Sequence, residues 1–460
     1  MSASHKWAIW FISTIISAGY LSYSLLADDK EFFLPGVTSK GHYQIELACD
    51  SCHGGGFEGQ EVIEKSCHTC HLNDLKITND SHPRKLFTDP RNYKQVELID
   101  ASKCVTCHRE HKPDITRDEG VTVEKDFCFL CHNDIAKDRK SHKTFAKDSC
   151  ADSGCHKYHD NRSLYEDFLL KHADKPDTLP NASLPQRNYA IVMQKLNKET
   201  ILPLSINEHD APKDLEVEKK ILQQWQNNRH AKGGVNCRKC HTTEETKNNN
   251  SNWLNKPNIS TCKKCHKEEA KGFLSGLHGM RLKQSLPAMS PADARQKMKK
   301  EAPTQHPGCI ACHSSHEFDI QRAAVEACLS CHDDKHSLAY KKSLHYQMWK
   351  KSQTSNKDNP TGVSCATCHL PRQVKRIQGH DVIRVQHNQN DNLRPNEKMI
   401  RSVCLNCHGL AFSINSLADT DLVKHNFSGQ PKLKIKSIDM VKNRAQKNRS
   451  KLDAVELKQE

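Results

Sequence analysis

Apolar positions along this chain gather in one place and are scattered everywhere else. Trp7 to Ala27 (WAIWFISTIISAGYLSYSLLA) is almost free of charge, with Lys6 before it and Asp28, Asp29 and Lys30 after it. About 20 such residues are enough to span a bilayer, and Leu25 to Ala27 makes a poor small-x-small cleavage site. Residues 1–27 are therefore expected to be an N-terminal membrane anchor, with a cleaved signal segment as the alternative. No later stretch is apolar enough for a second span. The remainder shows only short patches of helical period, at Asn161–His172, Asp214–Gln226 and Ala323–Ser330, and no convincing alternation of strand type. Residues 173–214 carry Pro176, Pro180, Pro185, Pro203 and Pro212 around one possible helix near Tyr189 to Leu196, a linker composition.

That pattern leaves a chain short of interior. Of 460 residues, 36% are hydrophobic and 6% aromatic, and 27% are charged, with a mean hydropathy of −0.78. The abnormal entries are 22 cysteines and 29 histidines, an excess that points to disulfides, metal sites or covalently held cofactors.

Read in order, the cysteines resolve into one motif. Ten C-x-x-C-H units occur: Cys49/Cys52/His53, Cys67/Cys70/His71, Cys104/Cys107/His108, Cys128/Cys131/His132, Cys237/Cys240/His241, Cys262/Cys265/His266, Cys309/Cys312/His313, Cys328/Cys331/His332, Cys365/Cys368/His369 and Cys404/Cys407/His408. Cys150 and Cys155 before His156 form an eleventh unit with four residues between the thiols, and no cysteine is left over. Such units attach c-type haem: two thiols a short turn apart add to the two vinyl groups on one porphyrin edge, and the next imidazole lies under the iron. A disulfide framework has no use for a histidine after every second cysteine, and structural zinc groups four ligands per site. Eleven haems are expected. At 460 residues, that is about 42 residues per haem, so macrocycles would supply the apolar mass the side chains lack, with polypeptide wrapped around them.

The charge follows. A formal +14 would ordinarily suggest nucleic acid, yet the basic residues are spread among the cysteine motifs and aromatics for base stacking are sparse. A bis-histidine haem with ionised propionates carries about −1 ferric and about −2 ferrous, so eleven of them bring the total to roughly +3 or −8. The excess is internal compensation. From Pro431 the tail has nine Lys/Arg against four Asp/Glu and reads as a solvated helix or a disordered extension, with a docking surface for an acidic partner or lipid headgroups as the alternative.

Seventeen histidines outside the motifs and after the apolar segment are available for the second face of eleven irons, and methionine is scarce at eight. Bis-histidine ligation is expected. His111, His159 and His316 stand three residues after a motif histidine and His336 four after; none reaches over its own porphyrin, so each is expected to serve a neighbouring haem. His42, His82, His142, His172, His230, His278 and His345 complete the candidate set, leaving His68, His209, His306, His380, His387 and His425. Cysteine spacing divides the chain into a five-haem module (28–172), a linker (173–214), a six-haem module (215–430) and a basic tail (431–460).

The stretches GHYQIELACDSCH, CVTCHREH and CADSGCHKYH resemble class III multihaem cytochromes, in which little secondary structure surrounds closely packed bis-histidine haems. WQNNRHAKGGVNCRKCH, CKKCHKEEAKGFLSGLHG, CLSCHDDKHSLAYKKSLH, GVSCATCH and HNQNDNLRPNEKMIRSVCLNCHGL resemble the hydroxylamine oxidoreductase and octahaem cytochrome group, over roughly residues 210–430. That resemblance implies distal-ligand roles for His230, His278 and His345. It does not carry catalysis with it. The group's cross-linking tyrosine late in the chain has no counterpart after Tyr346, and no motif ends in the lysine that the related pentahaem nitrite reductases use. The fold expected is mainly α with extensive irregular loops and little or no β-sheet. The function expected is an exported, periplasmic electron carrier between a membrane quinol-side donor and periplasmic or outer-membrane redox proteins, with no nucleic-acid partner and oligomers possible. The alternative is an oxidoreductase of small nitrogen or sulfur compounds with one open-site haem.

Overall fold

A C-x-x-C-H unit places its first cysteine, second cysteine and histidine at i, i+3 and i+4, the spacing that brings three side chains to one face of a helical turn. The computed structural model forms those turns. The histidine amide returns to the first cysteine's carbonyl at His53 (2.9 Å), His108 (2.9 Å), His132 (2.9 Å), His241 (3.0 Å), His266 (2.9 Å), His332 (3.0 Å) and His408 (2.8 Å). The structure describes residues 3–26, 30–54, 59–78, 80, 82–139, 142–143, 147, 158–159, 166–181, 184–185, 202–242, 253–302, 308–355, 362–377, 379–393, 398–443 and 445–446. The unit Cys150/Cys155/His156, the helix expected near Tyr189 to Leu196, and residues 444 and 447–460 of the basic tail lie outside them.

The chain divides into two units, one of residues 1–153 with 158–160 and one of 154–157 with 161–460. Both are mainly helical and rich in loops.

In the first unit the helix Ala3–Leu26 leaves Trp7, Trp10, Phe11 and Ile16 more than half exposed. No helix among the described residues is long and apolar enough to cross a membrane. The helix Gln60–Thr78 carries the second motif in its middle, and Glu64, one turn before Cys67, is 8% exposed. Its carboxylate accepts the amides of Cys104 (3.0 Å) and Val105 (3.1 Å), capping the short helix Cys104–Cys107. One side chain thus ties the second motif to the third. Replacing Glu64 by Ala leaves two amides without their acceptor and should cost about 1 kcal/mol locally. Amide exchange at Cys104 and Val105 should then quicken about five-fold while exchange in the second unit stays as it was. Ile45 is the single buried apolar side chain of this unit among the described residues.

The second unit has a small core of its own. Leu169 and Ala173 pack with Ile400, Leu410, Ile414 and Ile438, so the helix Glu166–His172, which cysteine spacing assigns to the first module, packs within the second unit. The adjoining segment also holds the last motif. Leu179 N donates to Cys407 O (2.8 Å) and Gly409 N to Asp177 O (3.3 Å). A Cβ on Gly409 would lie 2.5 Å from Pro176 O and 2.6 Å from Lys175 O, so only glycine lets the strands approach.

Extended flanks recur beside other motifs. Lys299 N donates to Cys331 O (2.8 Å) and Leu254 N to His241 O (2.6 Å), while in the first unit Thr122 N donates to Cys107 O (2.8 Å). The expected helices near Asp214–Gln226 and Ala323–Ser330 appear as Lys219–Asn227 and as Ile320–Ala324 with Glu326–Leu329. The one sheet among the described residues is the antiparallel pair β1 (Arg372–Ile377) and β2 (His380–Val385), with Val374 opposite Ile383 and a turn in which Gly379 takes φ +80°.

Candidate functional site

Among the described residues, nine motif histidines each face a histidine from outside the motifs. In the first unit these are His71 with His42 (ring centres 5.9 Å apart), His132 with His82 (6.1 Å) and His108 with His159 (6.3 Å). In the second they are His266 with His230 (5.9 Å), His241 with His316 (5.9 Å), His332 with His278 (6.2 Å), His313 with His387 (6.3 Å), His369 with His336 (6.1 Å) and His408 with His345 (6.3 Å). Two imidazoles on one metal stand about 2 Å from it on each side, which puts the nitrogens about 4 Å and the ring centres about 6 Å apart. Van der Waals stacking alone has no reason to repeat that distance nine times at interplanar angles from 4° to 85°. The residues fit a group with one metal between each pair.

Outer contacts choose the nitrogen left for the metal. Nδ1 meets a backbone oxygen at His82 (Tyr158, 2.6 Å), His108 (Gly120, 3.2 Å), His241 (Leu254, 2.6 Å), His336 (Val423, 2.5 Å), His387 (Val385, 3.0 Å) and His408 (Asp177, 2.8 Å). It meets a carboxylate at His42 (Glu110, 2.7 Å) and His159 (Asp80, 3.2 Å). An Nδ1–H given to such an acceptor leaves Nε2 as the ligand atom. At His278, Nδ1 meets the Gln389 side-chain amide at 2.9 Å, while Gln389 Oε1 is buried with no partner. Exchanging that amide's O and N gives His278 its acceptor.

The electrostatics agree. Burial, and then the facing imidazole, push His278, His313, His345 and His369 down to about 4, so these rings are neutral and their nitrogens free to bind. Burial pushes Glu110 up, but hydrogen bonds from His42 and Ser39 outweigh it and hold the carboxyl down at about 2.

Neighbouring motifs touch through their first cysteines. Cys67 lies beside Cys104, Cys262 beside Cys309 and Cys328 beside Cys365, near enough for each thiol to shift its neighbour's titration. Once both sulfurs are thioethers they no longer titrate; what the contacts establish is that the attachment edges of consecutive sites lie side by side. The short offsets act the same way. His313 faces His387 while His316, three residues on, faces His241, and His332 faces His278 while His336 faces His369.

The second cysteines differ in how far polypeptide covers them: Cys70, Cys131, Cys265 and Cys312 are exposed, whereas the other described motif cysteines are half-buried. The reason is which way each turn faces. Cys67 and Cys262 are half-buried because they meet Cys104 and Cys309 of neighbouring motifs. Cys70 and Cys265 lie one turn on, among exposed neighbours: Thr69, His71 and Leu72 in the first case, Lys263, Lys264 and His266 in the second. Burial therefore does not mark Cys70 and Cys265 as attachment residues. Their candidacy rests on sharing a turn with Cys67 and His71 and with Cys262 and His266, whose rings face His42 and His230.

Local sequence explains several placements. Trp225 is buried and gives its Nε1–H to Val235 O (3.1 Å), and Asn228 caps the next turn by accepting from His230 N (2.8 Å) and Ala231 N (3.0 Å). Asn228 Nδ2 also donates to His316 O, fixing two facing histidines at once.

Of the expected distal residues, His42, His82, His159, His230, His278, His316, His336 and His345 face a motif histidine. His111, His142 and His172 do not among the described residues. His111 gives Nδ1–H to Gly36 O (2.7 Å), the His142 amide donates to Arg139 O (2.9 Å), and His172 packs 4.6 Å from Phe168. His53 faces no second imidazole among the described residues. His387, absent from the expected set, faces His313; its position in HNQNDN is held by Gln386, whose amide bonds Asp391 (2.6 Å) and Asn388 N (3.0 Å). His68 has Glu64 and Cys104 within 4.8 Å, but that carboxylate serves as the cap described above.

Residues 41–133 match the family model of cytochrome c3, and residues 261–326 match that of cytochrome c554 and c-prime. Matches in both halves, on a chain of repeated haem-attachment motifs, support a multihaem c-type cytochrome that takes part in electron transfer. The C-terminal match, to cytochrome c554 and c-prime, does not by itself confirm the resemblance to the hydroxylamine oxidoreductase group. No curated protein and no solved structure matches the chain.

Proposed function

We propose that this chain is an exported undecahaem electron carrier whose irons are held between paired histidines. The observation that carries the reading is the set of nine histidine pairs with ring centres 5.9 to 6.3 Å apart, each joining one motif histidine to one outside. Each haem, when bound, supplies a one-electron Fe(III)/Fe(II) couple. The protein's part is to hold that couple still. Motif cysteines would fix one porphyrin edge, the paired rings would hold the iron from both sides, and Nδ1 acceptors keep rings such as His42, His82, His241 and His408 in one tautomer. Groups locked in this way need little rearrangement when one electron arrives or leaves. Contacts between Cys67 and Cys104, Cys262 and Cys309, and Cys328 and Cys365 support short steps between successive sites.

The same reading assigns the unit of Cys150, Cys155 and His156 its own haem, divides the haems five and six between the halves, and leaves redox proteins as partners on both sides. The exposed apolar helix Ala3–Leu26 supports attachment to the inner membrane with the haem-bearing body in the periplasm. Donors on the quinol side and acceptors in the periplasm or outer membrane complete the proposal.

Ferric EPR of the purified holoprotein tests it. The relay predicts low-spin signals throughout and no change on adding nitrite or hydroxylamine. A high-spin signal that responds to either compound would replace the relay with the enzyme reading.

A further inference from the structure

The nine facing pairs are not equal in their surroundings. Six of the paired rings rest Nδ1 on backbone carbonyls, neutral acceptors that orient a ring without adding charge. At the second motif both rings lie beside acids. His42 gives its Nδ1–H to Glu110 Oε1 at 2.7 Å, and across the pair His71 Nδ1 lies 3.4 Å from Asp74 Oδ2. No other pair among the described residues has a carboxylate on both sides; His159 has Asp80 and His332 has Asp334 on one side only.

Glu110 is also the better placed of the two acids. It is half-buried in a pocket where Ser39 donates to it twice, from the backbone N (2.6 Å to Oε2) and from the hydroxyl (2.8 Å to Oε1). Asp74 stands on a half-exposed helix face and is screened. A carboxylate on the outer nitrogen of a metal-bound imidazole makes that ring a stronger electron donor and favours the higher charge on the metal.

Resting on the bis-histidine reading above, we propose that Glu110 is a positioning residue that sets a potential. Acting through His42, it makes the haem of Cys67/Cys70 the hardest to reduce among the described sites of the first unit. That site is then the last in its unit to fill from a donor and the first to empty toward an acceptor.

The test is potentiometry of the full-length holoprotein followed by visible absorption and ferric EPR, comparing wild type with Glu110→Gln, Ser39→Ala and His42→Ala. Glu110→Gln keeps the size and loses the charge. It should shift the reduction equilibrium of one haem about tenfold toward the ferrous form, about 59 mV for a one-electron couple, and move one low-spin EPR signal while the rest hold. Ser39→Ala frees Glu110 to bind His42 more strongly and should move the same couple the opposite way, by less. His42→Ala should turn one haem high-spin. If His42→Ala leaves every haem low-spin, the ligation reading fails and this proposal with it. A high-spin haem in His42→Ala, with every potential unmoved in Glu110→Gln, overturns the role of Glu110 alone.

Discussion

Made in a host that cannot attach haem, this chain is expected to lack a folded first unit. The reason is an inventory of what fills it: of its described apolar side chains only Ile45 is buried, and the polar Gln44 and Glu64 are as deeply placed. A domain of that length needs far more buried apolar area to offset the entropy of ordering its backbone. The second unit differs in degree. Leu169, Ile400, Leu410 and Ile414 give it a cluster of its own, and Val325, Leu329 and Tyr340 a second. Far-UV circular dichroism of the haem-free chain should therefore show most helical signal lost, and amide exchange should find residual protection only in the second unit, around Leu169, Ile400 to Ile414 and Val325 to Tyr340. Native-like protection across Gln60–Thr78 without haem would show that the polypeptide carries its own interior.

Removal of a single distal ring should have the largest spectroscopic effect of any point change. His345 faces His408 at 6.3 Å, is pushed down to about 4 by burial and then by His408, and lies 6.4 Å from Phe427. His345→Ala should leave the iron of Cys404/Cys407 with one strong ligand. One haem's worth of ferric signal then becomes high-spin and binds added cyanide or nitrite, and its potential rises by about 100 mV or more, within the roughly 0.8 V that axial ligation spans. His425 is the control. It is exposed, with Nδ1 on the Asp421 carbonyl at 2.7 Å, and faces no motif histidine, so His425→Ala should leave the spectra unchanged.

Much of this chemistry is legible in the linear sequence because a haem-attachment unit is local: thiol, thiol and imidazole must share one helical turn, and the spacing is that turn. The short offsets are nearly as readable. A ring three or four residues beyond a motif histidine cannot cross its own porphyrin, which directs His159, His316 and His336 to neighbours, where the structure places them. What escapes the sequence is long-range. His387 reaches His313 only because the β1–β2 hairpin returns the chain, and no local pattern ties the two together. The exposure of Cys70 and Cys265 is of the same kind, since which thiol of a turn is covered depends on where the next motif packs. The assignment of Glu166–His172 to a module depends on Leu169 and Ala173 meeting Ile400 and Leu410, contacts that cysteine spacing does not register. The potential-setting arrangement at His42 likewise needs Glu110, a residue sixty-eight positions away.

The reading as a whole depends on porphyrin being joined to the chain through its cysteines. Intact-mass spectrometry of the mature holoprotein, with its N-terminus sequenced to fix the polypeptide mass, measures that directly. Eleven covalently added haem masses are predicted. A mass equal to the polypeptide alone, or lowered only by the hydrogens lost to disulfides, would contradict the account.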